Sequence, residues 1–335
     1  MRPLFLVLLG LLWLLSGCGP LRQAAPVDGS AVEVELTTVP FFPQEKYQCG
    51  PAALATLLVG SDVPTLPDLL SPALYIPKRH GTLQLEIVAS IRSHDRIAYQ
   101  LHPELDAITA ELKANRPVLV LQNLGWQSWP VYHYAVVVGL LTDGSLILRS
   151  GTTERLISTQ EDFLASWQKA GSWAMVALKG GELPADDDIE AYLSTVARIE
   201  TIGNVELAED CYRAVLARYP DNDTALFGLA NTMFFQADYA QAASFYSQLL
   251  RLEPTRAAAA NNLAESLAAM HCYELALELL DRFLQPPLEQ SRLTAILART
   301  WTKILVQSSA DYPQNSECAN MRDLIVPTQA PPAAP

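Results

Sequence analysis

The sequence predicts an α+β domain followed by an all-α domain, and three observations carry that reading. Short β-branched runs mixed with one or two helical stretches fill residues 32–179. A segment of small and acidic residues, Gly180 to Asp188, with Pro184 and three successive aspartates, then breaks the pattern. From Ile189 a helical period takes over, and similar residues return every 34 positions. Alternating short β runs and a sustained helical period are the signatures of different packing classes, so they predict separate cores.

Composition agrees. The chain has 335 residues, of which 50% are hydrophobic and 18% charged, enough apolar side chains for two cores. Lys plus Arg number 23 against 36 Asp plus Glu, a net charge of −13. An acidic chain without a basic run has little means of neutralising phosphates, so no nucleic-acid partner is expected.

Residues 1–17 read as an export signal. Arg2 is followed by an uncharged, Leu-rich run from Pro3 to Leu15, too short to span a bilayer as a mature helix. It ends in Leu15-Ser16-Gly17-Cys18, which resembles the bacterial lipoprotein signal. That resemblance implies cleavage before Cys18 and a diacylglycerol thioether on it, hence a membrane partner through lipid. Two or more acyl chains anchor a protein far better than one. Gly19 in place of Asp implies the outer membrane, on the periplasmic side of the cell envelope. Residues 18–31 read as a tether.

Within residues 32–179 the informative segment runs from Val39 to Leu58. Cys49 ends a Pro-containing extended stretch, and an Ala/Leu run of helical character begins within two residues, with Pro51 suited to a first helical turn. The positive end of a helix dipole favours a thiolate there. The same cysteine also suits the role of a small buried hydrophobe. A nucleophilic cysteine needs a base. Of the five histidines, His80 and His94 flank a helix expected over Thr82–Ser93, His102 precedes Pro103, and His271 lies among the helical repeats. His133 alone opens a strongly β-forming run, to Leu141. Thr142-Asp143-Gly144-Ser145 follows as a hairpin turn and Leu146–Ser150 as the returning strand. Pro117–Gln122 is a further β run, and Asp162, Phe163 and Trp167 mark a short amphipathic helix.

Gln44 with Cys49-Gly50-Pro51-Ala52-Ala53, followed 84 residues later by His133-Tyr134-Ala135-Val136-Val137, resembles the papain-like bacteriocin-processing peptidases that act on double-glycine leaders. The resemblance spans Val39 to Ala177. It implies a papain-like cysteine peptidase fold with Cys49 as nucleophile, His133 as general base and a peptide or protein as substrate. Gln44 would donate to the oxyanion, with Gln48 as the other candidate. Relatives place Asp or Asn on the strand after the histidine hairpin; here the matching residue is Ser150, which carries no charge to stabilise an imidazolium. Asp143 belongs to the turn, at the wrong end of the hairpin. Trp126 and Trp129, just before His133, fit either the core or a substrate cleft.

No His-x-x-x-His, Cys-x-x-Cys or Gly-rich phosphate loop is present, so no metal and no cofactor is expected.

In the second domain Ala208, Ala242 and Ala276 are 34 apart, as are Tyr212, Tyr246 and Leu280, Pro220 and Pro254, and Leu229 and Leu263. This spacing resembles the tetratricopeptide repeat, which implies helix–turn–helix units stacked into a superhelix whose groove takes a protein partner. The units fill about Ile189 to Gln285, and a last helix, Leu288 to Ser308, is expected to cap them, completing a domain of residues 189–308. Residues 309–335 read as a largely disordered tail, with four prolines from Val326 onward. Cys272 and Cys318 are candidates for a disulfide, and Cys211 for an inert, semi-buried thiol. The whole reads as a membrane-anchored periplasmic cysteine peptidase whose repeats recruit a partner. The alternative is a catalytically weak lipoprotein scaffold, and an amidase or transferase is a third reading of the same fold. An exported chain with no ATPase segment does not fit leader processing on the cytoplasmic side.

Overall fold

The computed structural model describes residues 31–44, 49–76, 81–284, 292–309 and 318–325. The signal, Cys18, the tether, Gln48, His80 and the segment from Val326 lie outside them. By internal contacts the chain divides into two units, Met1–Ser90 with Gln100–Val176, and Ile91–Tyr99 with Ala177–Pro335.

The first unit is built on an antiparallel sheet. Of the strands β1 (Val32–Glu35), β2 (Ile97–Gln100), β3 (Val118–Asn123), β4 (Tyr132–Leu141), β5 (Leu146–Ser150), β6 (Thr153–Ser158) and β7 (Ala174–Leu178), β1 and β3 to β6 lie wholly in it, whereas Ile97–Tyr99 of β2 and the last two residues of β7 count with the second unit. They run in the order β2-β7-β3-β4-β5-β6, with β1 also paired to β4. The β4–β5 hairpin falls where the alternation predicts it. Its turn is closed by Gly144 N–H donating to the Leu141 carbonyl at 2.9 Å, and Asp143 Oδ1 accepts from Ser145 N–H. Asp143 therefore braces the turn, as its position predicts. Every residue of β4 from Tyr134 to Leu141 is buried. Successive side chains point to opposite faces, so both faces of the strand are covered.

The helices of this region are α1 (Cys49–Gly60), α2 (Pro67–Leu74), α3 (Gln84–Ser93), α4 (Leu105–Lys113) and α5 (Gln160–Gln168). Helix α1 buries nine residues, Gly50 to Leu58, and packs on β3, β4 and β5. Its sequence is apolar all round, the pattern of a helix enclosed by its own domain. Helix α5 carries the expected amphipathic face, with Phe163 and Trp167 stacked and buried. Helices α2 and α4 are not marked by the sequence reading. Helix α4 sets Glu111, whose side chain is wholly buried, against the Arg116 guanidinium.

The second unit contains α6 (Ile189–Thr201), α7 (Val205–Arg218), α8 (Asp223–Phe235), α9 (Tyr239–Leu252), α10 (Ala257–Ala269), α11 (Tyr273–Leu284), α12 (Arg292–Ser308) and α13 (Cys318–Ile325). The starts of α6, α8 and α10, and those of α7, α9 and α11, recur every 34 residues, and each helix from α6 to α12 packs on the next. The repeat extends to the turns. Asp188, Asn204, Asn222 and Asp238 cap their helices by accepting from a backbone N–H three residues on. Gly203, Ala237 and His271, again 34 apart, hold positive φ of 94°, 62° and 64° where each pair turns. The repeated Ala208, Ala242, Ala276, Tyr212, Tyr246 and Leu280 are all buried. Gly228 has no room for a side chain, since a Cβ there would meet the Tyr212 ring at 2.2 Å. A disulfide joins Cys272 to Cys318 and so ties α13 to the turn before α11. Cys211 is fully buried, and burial pushes its thiol pKa up.

Candidate active site

Cys49 is the first residue of α1 and is half-buried. The next residue has to be small: a Cβ on Gly50 would lie 2.3 Å from Thr82 Oγ1 and 2.5 Å from Thr82 Cβ. The start of α1 is thus pressed against the segment that leads into α3.

His133 lies on β4, which α1 packs against, and pairs in register with Gln122 of β3. Its Nε2 is 2.9 Å from Ser150 Oγ, at the end of β5. With the ring hydrogen on Nε2, the imidazole donates to the serine and leaves its Nδ1 lone pair as the basic site. Burial lowers the pKa of His133 below its ordinary 6.5, because the charged imidazolium loses hydration. The neutral form therefore dominates at pH 7, and Ser150 orients the ring without adding charge.

Gln44 is held twice. Its backbone N–H donates to the Gly151 carbonyl at 2.9 Å, and its side-chain Nε2 donates to the Tyr134 carbonyl at 3.3 Å. The residue before Cys49 in the motif is thereby fixed to the strand residue after His133 and to the turn after Ser150. Its amide points to a main-chain carbonyl in this arrangement. Among the described residues no hydrogen bond joins Cys49 Sγ to His133.

Three residues of this neighbourhood were not singled out by the sequence reading. The Tyr134 hydroxyl donates to the Thr82 carbonyl at 3.4 Å. Its phenol is pushed above its ordinary 10 by burial first, then by the Cys49 thiol and the Glu86 carboxylate. Thr82 Oγ1 and Glu86 Oε2 are buried and have no hydrogen-bond partner. No local signal in the sequence ties Thr82 to the start of α1 or to Tyr134, because these contacts join residues far apart in the chain.

Trp126 and Trp129 do not belong to the core: each is 79% exposed. They stand on an ordered hairpin tip between β3 and β4. Trp129 N–H donates to the Trp126 carbonyl, and Asn123 Oδ1 accepts from Gly125 and Val131 N–H. Backbone bonds to a buried asparagine hold the tip, so its indoles need no packing partner to stay in place.

No family model matches the chain, and no curated protein is similar to it. Among solved structures, it is similar to the peptidase domain of Streptococcus ComA, a bi-functional ABC transporter involved in a quorum-sensing pathway. That match has 19% identity and a TM-score of 0.36, over 42% of this chain and 98% of that one. It is also similar to a double-glycine-motif protease from an AMS/PCAT transporter in complex with its leader peptide. There the identity is 15% and the TM-score 0.35, over 44% of this chain and 96% of that one. Among the described residues no group of histidine, cysteine and acidic side chains is arranged to hold a metal ion, and no helix is long and apolar enough to cross a membrane.

Proposed function

We propose that this protein is a lipid-anchored cysteine peptidase of the periplasmic face of the outer membrane. In this reading its helical repeats form a tetratricopeptide superhelix that recruits a protein partner. The observation that carries the catalytic part is the His133 Nε2–Ser150 Oγ contact of 2.9 Å. It leaves Nδ1 as the base, on a strand packed against the helix that Cys49 begins. The thiol passes its proton to Nδ1 and the sulfur adds to a peptide carbonyl carbon. The tetrahedral intermediate collapses as the amine leaves with that proton, and water then hydrolyses the thioester. The Cys49 backbone N–H and the Gln44 amide are the donors available to the oxyanion, the latter once it turns from the Tyr134 carbonyl. Cys18 carries the lipid anchor. The disulfide between Cys272 and Cys318 supports an oxidising compartment.

A scaffold with an idle cysteine is the second reading. It is favoured by the neutral Ser150 and by the absence of a hydrogen bond between Cys49 and His133 among the described residues. Labelling of Cys49 by a peptide aldehyde or vinyl sulfone, in a Cys18→Ala background, separates the two. The peptidase reading expects labelling that falls by about 100-fold or more in His133→Ala, the scale of general-base loss. Labelling of Cys49 that ignores His133 leaves the scaffold.

A further inference from the structure

The charged side chains of helix α12 are Arg292, Arg299 and Lys303, all cations. Spacings of seven and four residues set them on one face of the helix. That face borders a cavity of about 530 Å3 between α10 and α12, lined by Asn261 and Glu265 of α10 and by Arg292, Arg299, Thr300 and Lys303 of α12. In a chain of net charge −13 this is a local reversal of sign. Helix stability does not ask for it: a cation at the first residue of α12 opposes the positive end of the helix dipole. Glu265 offsets one of the three cations, with its Oε1 3.5 Å from Lys303 Nζ. Arg292 and Arg299 make no ion pair among the described residues. Asn261, on the same cavity, is nine-tenths buried, and its Oδ1 makes no hydrogen bond. The cavity therefore combines room, net positive charge and an amide without a donor. Carboxylates and main-chain N–H groups answer these features, whereas a cation is repelled and an apolar group strips water from the guanidinium groups at a cost.

Length decides the form of the ligand. At 1.5 Å per residue Arg292 and Lys303 stand about 16 Å apart along the helix, and Arg299 and Lys303 about 6 Å apart. Alternate residues of an extended chain are about 6.6 Å apart. A row of this length matches an extended segment, while a single small anion meets only one end of it. We infer that the cavity between α10 and α12 binds an extended acidic segment of a partner protein, with carboxylates two residues apart facing Arg299 and Lys303. The inference rests on the reading that the helical repeats recruit a protein partner, and it names the chemistry of that partner. Nothing in it depends on Cys49.

The test uses the full chain with Cys18→Ala and three fluorescein-labelled heptapeptides, in which glutamate, glutamine or lysine alternates with alanine. Fluorescence anisotropy should show the glutamate peptide binding at least about tenfold more tightly than the glutamine peptide, a few-fold for each charge pair, with the lysine peptide weakest. Arg299→Gln combined with Lys303→Gln should weaken binding of the glutamate peptide by about tenfold. Arg213→Gln, on α7 and away from the cavity lining, should leave it within about twofold. Glu265→Gln removes the competing carboxylate and should tighten binding about threefold, a gain that a folding defect does not produce. An unchanged affinity in the double variant overturns the site; if that variant fails to fold, a Glu265→Gln that does not tighten binding overturns it instead. Tighter binding of the glutamine or lysine peptide overturns the acidic class and leaves the recruiting repeats standing. A protein that binds none of the three overturns both. Inorganic phosphate that displaces the glutamate peptide at equal concentration reveals a site for small anions and overturns the extended segment.

Discussion

The two units organise their chains in opposite ways. In the helical unit everything that defines an element lies within a few dozen residues of it. A cap at Asn222, a turn at Ala237, an alanine at 242 and a tyrosine at 246 all repeat those found 34 positions earlier. In the sheet unit the residues of the candidate site, Gln44, Thr82, His133, Tyr134 and Ser150, are joined by contacts between distant parts of the chain, Gln44 with Tyr134, Tyr134 with Thr82 and His133 with Ser150. A substitution in the repeats should therefore be felt locally, whereas one in the sheet unit should be felt across the whole unit.

The largest effect should come from Arg116→Ala. It leaves the buried Glu111 carboxylate without its guanidinium, and breaking one side of such a pair costs about 3–5 kcal/mol. Urea unfolding should show that loss in the transition of the sheet unit, with helical ellipticity from the repeats lost separately. A single shifted transition involving both units would remove the contrast between them.

The contrast explains what was legible in the sequence. The period and the buried positions of the helical unit were legible because that information is periodic and local, whereas helix α13 falls in the segment 309–335 that reads as a largely disordered tail. The hairpin around His133 was legible for the same reason, since β4, its turn and β5 follow one another directly. Helices α2 and α4 were not marked: each is short, and α2 holds Pro72 within it. The sequence placed Cys49, His133, Ser150 and Gln44 on their elements, but it had no means of showing that the Gln44 amide meets the Tyr134 carbonyl. Nor could it show Thr82 against the start of α1, because that relation is purely spatial. Trp126 and Trp129 reversed the usual expectation for aromatics because backbone bonds to Asn123 stabilise their loop without burial.

Next in size is Cys318→Ser. The disulfide closes a separation of 46 residues, and its removal should destabilise the helical unit by about 2–4 kcal/mol. The loss should be confined to the end of the repeats, so hydrogen exchange should quicken in α13 and the turn before α11 and stay slow in α6 and α7. Uniform quickening through α6 would show that the repeats do not behave as a chain of local units.

A finer version of the comparison lies within the repeats. Asn222 caps α8, whereas Arg256, at the same place one repeat later, makes no cap bond. Asn222→Ala should cost about 1 kcal/mol. Arg256→Ala should cost less, since it removes part-exposed ion pairs with Asp223 and Glu253 and a cation–π contact with the Phe227 ring. Equal losses in thermal unfolding would mean that the caps do not set the difference between repeats.

The smallest effect concerns pH and belongs to the sheet unit alone. The folded pKa of His133 is below 6.5, so between that value and 6.5 the unfolded chain binds more protons than the folded one. Stability from this group is fully present above about pH 6.5 and is lost as the pH falls through the window. In His133→Asn the sheet-unit midpoint should depend less on pH below 6.5, with the helical transition unaltered. A steeper dependence in the variant would contradict a neutral buried imidazole.

The hairpin tip before β4 has a further consequence. Of the tryptophans in the described residues, Trp167 and Trp173 are buried and emit as shielded indoles and Trp301 is half-buried, while Trp126 and Trp129 stand in water a few residues from His133. The molecule thus carries its own optical reporter on the loop that leads into β4 and His133. A compound that covers this loop changes the polarity around these two indoles and moves their emission, with no dye attached and no turnover required. Collisional quenching by iodide or acrylamide reads the same event as shielding, so candidate substrates can be ranked by light before any product is known.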